Sequence, residues 1–403
     1  MPGTAPDPTR AGGPTLTRAG LLRRAGLGLA AVAVAGVGAL GYRAYDQGVF
    51  EAGEGPAYEP WGRWRDGAGL ESLVAAAILA PSPHNAQAWL FGLGPGRVDL
   101  YADRARSTGA LDPFRREMHV GLGAALENLM LAAGAAGWSP RVQLMPAGLG
   151  STHVARVHLA PSAAAAPPLH ARIPHRHTNR YPFAEGRPLP PSALAAMAGL
   201  ADPAGPVRLA WFVGAADRAR IGRLLVDATA AIVEDRDQRA MDHAWFRQDW
   251  DEIQRQRDGI TVDAAGLPEL TVALAKLLPA QSERATGESW LEATRDRHTA
   301  TAAAYGMVIA RDASDPRQRL LGGRLLQRVH LWATGEGIAV HHMNQLTERA
   351  DREAQLGAEP RFGAALRALV PSGWQPLATF RAGHPTRTPP PSPRRPVSAV
   401  VVA

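Results

Sequence analysis

Gly123-Ala-Ala-Leu126-Glu127-Asn-Leu-Met-Leu131-Ala-Ala133-Gly-Ala-Ala-Gly137 is echoed 200 residues later by Gly323-Arg-Leu-Leu326-Gln327-Arg-Val-His-Leu331-Trp-Ala333-Thr-Gly-Glu-Gly337. Gly, Leu, Leu, Ala and Gly coincide at 123/323, 126/326, 131/331, 133/333 and 137/337, with Glu127 opposite Gln327. The spacing predicts a buried helix closed by glycine, the residue that enters the left-handed region at a helix C-terminus without steric cost. In both copies a stretch of small and β-branched residues follows. A period near 200 is too long for a solenoid and implies a duplicated domain.

Outward from the repeat, Val98–Tyr101 and 207–213 read as strands. Asp112-Pro113 reads as a helix start, with Asp as N-cap and Pro at the first helical position. Residues 217–258 read as helical. Trp245, Phe246, Trp250 and Trp290 stand among many charges between 241 and 300, which suits a covering element. The expected fold class is α+β, with two related halves at 60–165 and 170–385, the second carrying a lid-like insertion at about 241–300. An extended tail occupies 386–403, where Pro389, Pro390, Pro391, Pro393 and Pro396 block regular hydrogen bonding.

A chain of 403 residues with 46% apolar and 20% charged residues can bury a sizeable core, so wholesale disorder is excluded. No cysteine is present, which removes disulfides, thiolate metal sites and thiol nucleophiles. The 44 basic residues include one lysine, Lys276, and are dispersed among 37 acidic ones. That dispersal argues against a nucleic-acid surface. Residues 1–45 read as a disordered start followed by a signal or anchor. Arg23-Arg24 precedes an uncharged Ala/Gly-rich run to Gly41, in the manner of a twin-arginine leader. The expectation is export or anchoring at the outer face of the cytoplasmic membrane, with membrane or export machinery as partner. Gly36, Gly38 and Gly41 spell G-x-G-x-x-G, but no amphipathic helix follows, so a dinucleotide fold is not expected.

Two stretches could carry chemistry. Pro81-Ser82-Pro83-His84-Asn85-Ala86-Gln87-Ala88-Trp89 links an apolar helix to a strand and offers side-chain donors and acceptors on forced extended backbone. Arg176-His177-Thr178-Asn179-Arg180 is a compact cationic donor cluster suited to phosphate or carboxylate. The histidines at 170, 175, 177, 341 and 342 lack an H-E-x-x-H pattern or accompanying carboxylates, so no metal is expected. Neither a G-x-S-x-G elbow nor a P-loop occurs in the sequence.

Together the two stretches resemble the signatures of the nitroreductase family of FMN-binding oxidoreductases, P-S-x-x-N-x-Q-P-W and R-[RH]-[ST]-x-[RK]. One motif lies in each half, so the chain resembles the fused-repeat, Acg-like branch: a pseudo-dimer with one composite flavin site, acting as a monomer. The resemblance implies that Arg176, His177, Thr178 and Arg180 bind the FMN phosphate and ribityl chain, with Arg394 closing from the tail. It places Pro81, Ser82, Asn85 and Gln87 along the isoalloxazine ring and Gln345 near its reactive edge. Ala88 departs from the usual proline. The implied function is hydride or electron transfer through flavin N5 from NAD(P)H or another donor to a small-molecule acceptor, with no catalytic residue of the protein's own. The alternative is an FMN-binding storage, sequestration or sensing protein with little turnover.

Overall fold

The computed structural model describes residues 41–402, and residues 1–40 of the proposed leader lie outside them. Two sheets flank a pair of crossed helices. The first sheet contains β1 (Trp89–Gly94), β2 (Arg97–Ala102), β3 (Trp138–Leu144) and β4 (His153–Pro161), with α1 (Glu59–Arg63) and α2 (Gly69–Ala77) before it and α3 (Arg116–Ala135) between β2 and β3. The second sheet has β5 (Val207–Phe212), β8 (Ala304–Ala310), β9 (Ala339–His342) and β10 (Gln375–Gly383) in the order β5-β8-β10-β9, all antiparallel. Around it lie α4 (Pro191–Ala198), α5 (Ala215–Glu234), α10 (Pro316–Gly335), α11 (Gln345–Leu356) and α12 (Arg361–Arg367). Between α5 and β8 run α6 (Arg236–Ala244), α7 (Trp250–Gln256), α8 (Glu269–Leu277) and α9 (Glu283–Ala293). The short strands β6 (Phe246–Arg247) and β7 (Ile260–Thr261) pair in parallel among them. The chain is thus α+β.

The two repeat helices, α3 and α10, meet where the sequence has its matched glycines. A Cβ at Gly123 would stand 2.1 Å from the Leu320 carbonyl oxygen, and one at Gly323 would stand 2.0 Å from that of Val120. The contact is reciprocal under the 200-residue offset. The same exchange recurs in the cores, because Leu320 packs into the first and Val120 into the second. Further along, Gln327 Nε2 donates to Asn128 Oδ1 at 2.7 Å, while Glu127 pairs with Arg324 at 2.7 Å and reaches Arg328 at 3.9 Å. Both helices end before a left-handed glycine, Gly137 at φ 82° and Gly337 at φ 68°.

The start of α3 differs from expectation. Helix begins at Arg116, and Asp112 lies a turn upstream, where its buried carboxylate accepts from Glu117 N (3.1 Å) and Met118 N (2.8 Å). Asp112 therefore satisfies orphan donors of the first turn, but from outside the N-cap position, and Pro113 is not the first helical residue. The helical reading of 217–258 is likewise interrupted, by β6.

After β10 the chain leaves the second half. Arg394 N donates to Ala57 O at 2.7 Å, and β11 (Val401–Val402) adds to β1 in parallel, completing the sheet order β11-β1-β2-β4-β3. The tail thus laces the second half's C-terminus onto the first half's sheet.

Candidate functional site

A cavity of about 820 Å³ opens between the loop after α2, the inner faces of α3 and α10, the 176–182 stretch, the β9–α11 junction, the tail, and segments between α6 and β8. Such a volume accommodates a cofactor-sized ligand.

The loop at 81–87 is held in an uncommon backbone shape. His84 (φ 47°), Asn85 (φ 54°) and Gln87 (φ 54°) are all left-handed without being glycine, a strain that persists only where surroundings enforce it. Enforcement comes from hydrogen bonds. Gln87 N donates to Ser82 Oγ at 2.9 Å, Asn85 Nδ2 donates to Gly259 O (3.1 Å) and Pro393 O (3.0 Å), and Arg394 Nη1 donates to Asn85 Oδ1 at 2.6 Å. Gln87 is wholly buried outside the cavity lining. Its Nε2 donates to Arg257 O at 2.8 Å and its Oε1 accepts from Arg395 N at 2.8 Å. It braces the tail and does not line a ligand.

Across the cavity stand Arg176, Arg180 and Arg394. Arg176 and Arg394 are almost fully buried, at 2% and 1% exposure. Arg176 Nη2 donates to Leu79 O at 3.0 Å, while its Nε and Nη1, like Arg394 Nε, have no partner among the described residues. Burial pushes Arg176 down to about 9, with no carboxylate offsetting it, and Arg180 down to about 10, with Asp242 opposing weakly. Arg394 falls well below the usual guanidinium range through burial and the repulsion of Arg176. Trp61 lies beneath Arg394 (4.8 Å) and Arg176 (5.9 Å), and its Nε1 donates to Ser392 O at 2.7 Å. Uncompensated buried charge is costly. A phosphate dianion facing these groups would relieve that cost and fill the vacant donors, so this end of the cavity fits a phosphorylated cofactor.

Thr178 lines the cavity, but His177 does not; its ring packs on Trp61 at 4.5 Å between centroids. Burial pushes His177 down to about 3, with Arg176 and Arg394 adding to the effect. Pro81, Ser82, Asn85, Gln345 and Arg394 all face the cavity, and Gln345 Oε1 is buried without a partner.

Sequence reading missed a second set of groups here. His298, His341 and His342 line one wall, all held neutral by burial. Arg381 Nε donates to His341 Nδ1 at 3.1 Å, and Arg381 Nη2 donates to Tyr181 O at 2.8 Å. Glu117, Glu348 and the His84–Asp242 pair (3.0 Å) stand on another side. Glu117, Glu348, Arg381 and His298 carried no motif or spacing in the sequence that marked them. Among the described residues no group of histidines and carboxylates could hold a metal ion.

No family model matches the chain. Over 353 residues, 87% of this chain and 95% of the relative, it is 27% identical to the "Putative NAD(P)H nitroreductase Rv3131" of Mycobacterium tuberculosis (strain ATCC 25618 / H37Rv). It is 34% identical over 119 residues, 29% of this chain and 36% of the relative, to the "Putative NAD(P)H nitroreductase acg" of the same organism. Among solved structures, the FMN and NADPH-dependent nitroreductase NfnB from sphigopyxis sp. strain HMH aligns over 58% of this chain and 98% of its own, at 18% identity and a TM-score of 0.36. A nitroreductase with bound FMN from Bacteroides fragilis NCTC 9343 aligns over 54% and 88%, at 16% identity and a TM-score of 0.30. The match to Rv3131 spans most of both chains, whereas the match to acg spans about a third of each.

Proposed function

We propose that this protein is an FMN-binding oxidoreductase of nitroreductase type, drawing electrons from NAD(P)H or a comparable donor and passing them to a small-molecule acceptor. The observation that carries the reading is the convergence of Arg180 with Arg176 and Arg394, the latter two without an offsetting carboxylate, on a cavity also lined by Ser82 and the strained His84 and Asn85. Arg176, Arg180, Arg394 and Thr178 would hold the phosphate and ribityl chain. Pro81, Ser82, Asn85 and Gln345 would border the ring, while His177 and Gln87 support this shell from behind. FMN, when bound, supplies reversible two-electron chemistry at N5, and the chain's own part is to anchor, orient and shield it. Segments such as 262–268 and Trp290 close the cavity from the insertion and restrict which acceptors enter.

The test is spectral. Purified protein is expected to carry a flavin absorbance that NADPH bleaches and a nitroaromatic or quinone restores. Flavin that binds and never bleaches would favour storage instead, and protein without flavin, unchanged by added FMN, would overturn the reading. Because both motifs come from one chain, a monomer is proposed as the working unit, to be checked by light scattering. Export or anchoring is proposed from the leader sequence alone, to be checked by cell fractionation. Among the described residues no helix is long and apolar enough to cross a membrane.

A further inference from the structure

Glu117, in the first turn of α3, and Glu348, in the first turn of α11, line the same cavity and are each 6% exposed. The Glu117 carboxyl feels the charge of Glu348, and neither forms a salt bridge among the described residues. A buried carboxyl with no cation beside it is costly to keep charged, so the pair favours holding a proton. Glu117 Oε1 and Glu348 Oε2 are buried and without a hydrogen-bond partner among the described residues. The charged and titratable groups around them are Asp112, Asp351, Arg116 and Arg319 on one side, His84 and Asp242 on the other. Arg116 is committed to Asp351 at 2.8 Å, and Arg319 donates to the Ala313 carbonyl at 2.6 Å. Neither neutralises the pair. Burial above all, then the neighbouring carboxylates, hold Glu348 up to about 7 and Glu117 well above its ordinary value. His84 lines the same cavity, feels the charge of Glu348, and is bonded through Nε2 to Asp242.

We infer that the Glu117–Glu348 pair is the proton donor for reduction in this cavity, and that His84–Asp242 reloads it from solvent. The inference rests on the oxidoreductase reading above. For each acceptor of quinone or nitro class, two electrons and one proton arrive as a hydride equivalent drawn from a reduced nicotinamide dinucleotide. The carboxylic acid supplies the second proton to the acceptor oxygen, and the carboxylate left behind takes one proton from solvent. Charge and atoms then balance, and the pair returns to its singly protonated state. Acceptors that need one electron and no proton gain nothing from it.

The first readout is independent of turnover. Infrared spectra of the full-length protein at pH 7 should contain the carbonyl stretch of a buried carboxylic acid, lost in Glu348→Gln and in Glu117→Gln. The second is kinetic. In each variant, reoxidation by a quinone should slow by roughly 100-fold or more and lose its solvent deuterium isotope effect, in keeping with loss of a general acid. Bleaching by NADPH should hold its rate, as should reoxidation by ferricyanide, a one-electron acceptor. A missing carbonyl stretch in the parent protein, or quinone rates unchanged in both variants, overturns the proposal. Protein without flavin would overturn the oxidoreductase reading, while the infrared spectrum still judges the acid pair.

Discussion

At the scale of single residues, phosphate recognition is the sharpest claim. Arg180 reaches the cavity from the basic motif, with one donor spent on the Ala264 carbonyl at 3.2 Å and the rest of its guanidinium free to meet an anion. Replacing it with alanine removes charge-assisted hydrogen bonds of about 1.5–3 kcal/mol, so Arg180→Ala should weaken FMN binding roughly 10- to 100-fold. Fluorescence titration of FMN measures this. Arg104→Ala is the control: Arg104 is exposed, bonded to Gly150 O at 2.6 Å, and should leave the affinity unchanged. Equal loss from both would mean the phosphate sits elsewhere. Motif chemistry made most of this shell legible in advance, because a guanidinium cluster and a Pro/Ser/Asn loop have few other uses in one chain. His177 and Gln87 were legible as motif members but not as supports, since which way a side chain faces depends on the packing of Trp61 and the tail. Arg381 was not legible at all. Its donors are satisfied by His341 Nδ1 and the Tyr181 carbonyl, groups that lie far apart in the sequence.

At the scale of elements, the α3–α10 crossing decides how the halves meet. With carbonyl oxygens 2.0–2.1 Å from where a Cβ would stand, neither Gly123 nor Gly323 has room for even one methyl group. Gly123→Ala must push two long helices apart, and overpacking of this kind costs about 1–3 kcal/mol or more. Its thermal midpoint should fall, and FMN affinity should fall with it, because Val120, Gly121 and Ala124 of α3 and Leu326 of α10 border the cavity. Gly134→Ala, whose Cβ would meet Pro167 at 3.4 Å, is the milder comparison. The repeat marked both helices in the sequence as buried, but not their crossing, because the spacing within one helix does not say which residues of another it meets. The segment between α6 and β8 was legible only as a covering element, and its anchoring was not. Lys276, the single lysine, lies wholly buried in α8, 2.8 Å from Asp263 and 2.8 Å from the Gly48 carbonyl. It ties the insertion to the stretch that follows the leader. Lys276→Met would strand a buried carboxylate, at a cost of about 3–5 kcal/mol. Chemical denaturation should show that loss, and Lys276→Met combined with Asp263→Leu should recover most of it.

At the scale of the whole molecule, the chain folds two opposite electrostatic liabilities into one cavity, and their signs fix the pH response. On the acid side, His298, His330 and His341 are held well below their ordinary range by burial, then by neighbouring cations, and His342 lies at about 3. Below about pH 6.5 the unfolded chain binds protons at these positions that the folded chain cannot accept, so stability must fall as pH falls. On the alkaline side, Glu348 is raised from 4.5 to about 7, and Glu117 is raised well above its ordinary value. Through that interval the folded chain binds more protons than the unfolded one, so stability must fall as pH rises. A sequence reader could count thirteen histidines and thirty-seven acidic residues but could not tell which would be buried, and burial is the first cause of both effects. Thermal unfolding followed from pH 4 to 9 should therefore give a dome with its maximum near pH 6. Glu348→Gln should flatten the alkaline limb and leave the acid limb intact, because glutamine keeps the shape without the titration. Inorganic phosphate should lift the whole curve by occupying the arginine end, in proportion to RT ln(1 + [L]/Kd). A curve flat across this range, or an alkaline limb unchanged in the glutamine variant, would show that the acid pair is not buried in the way described.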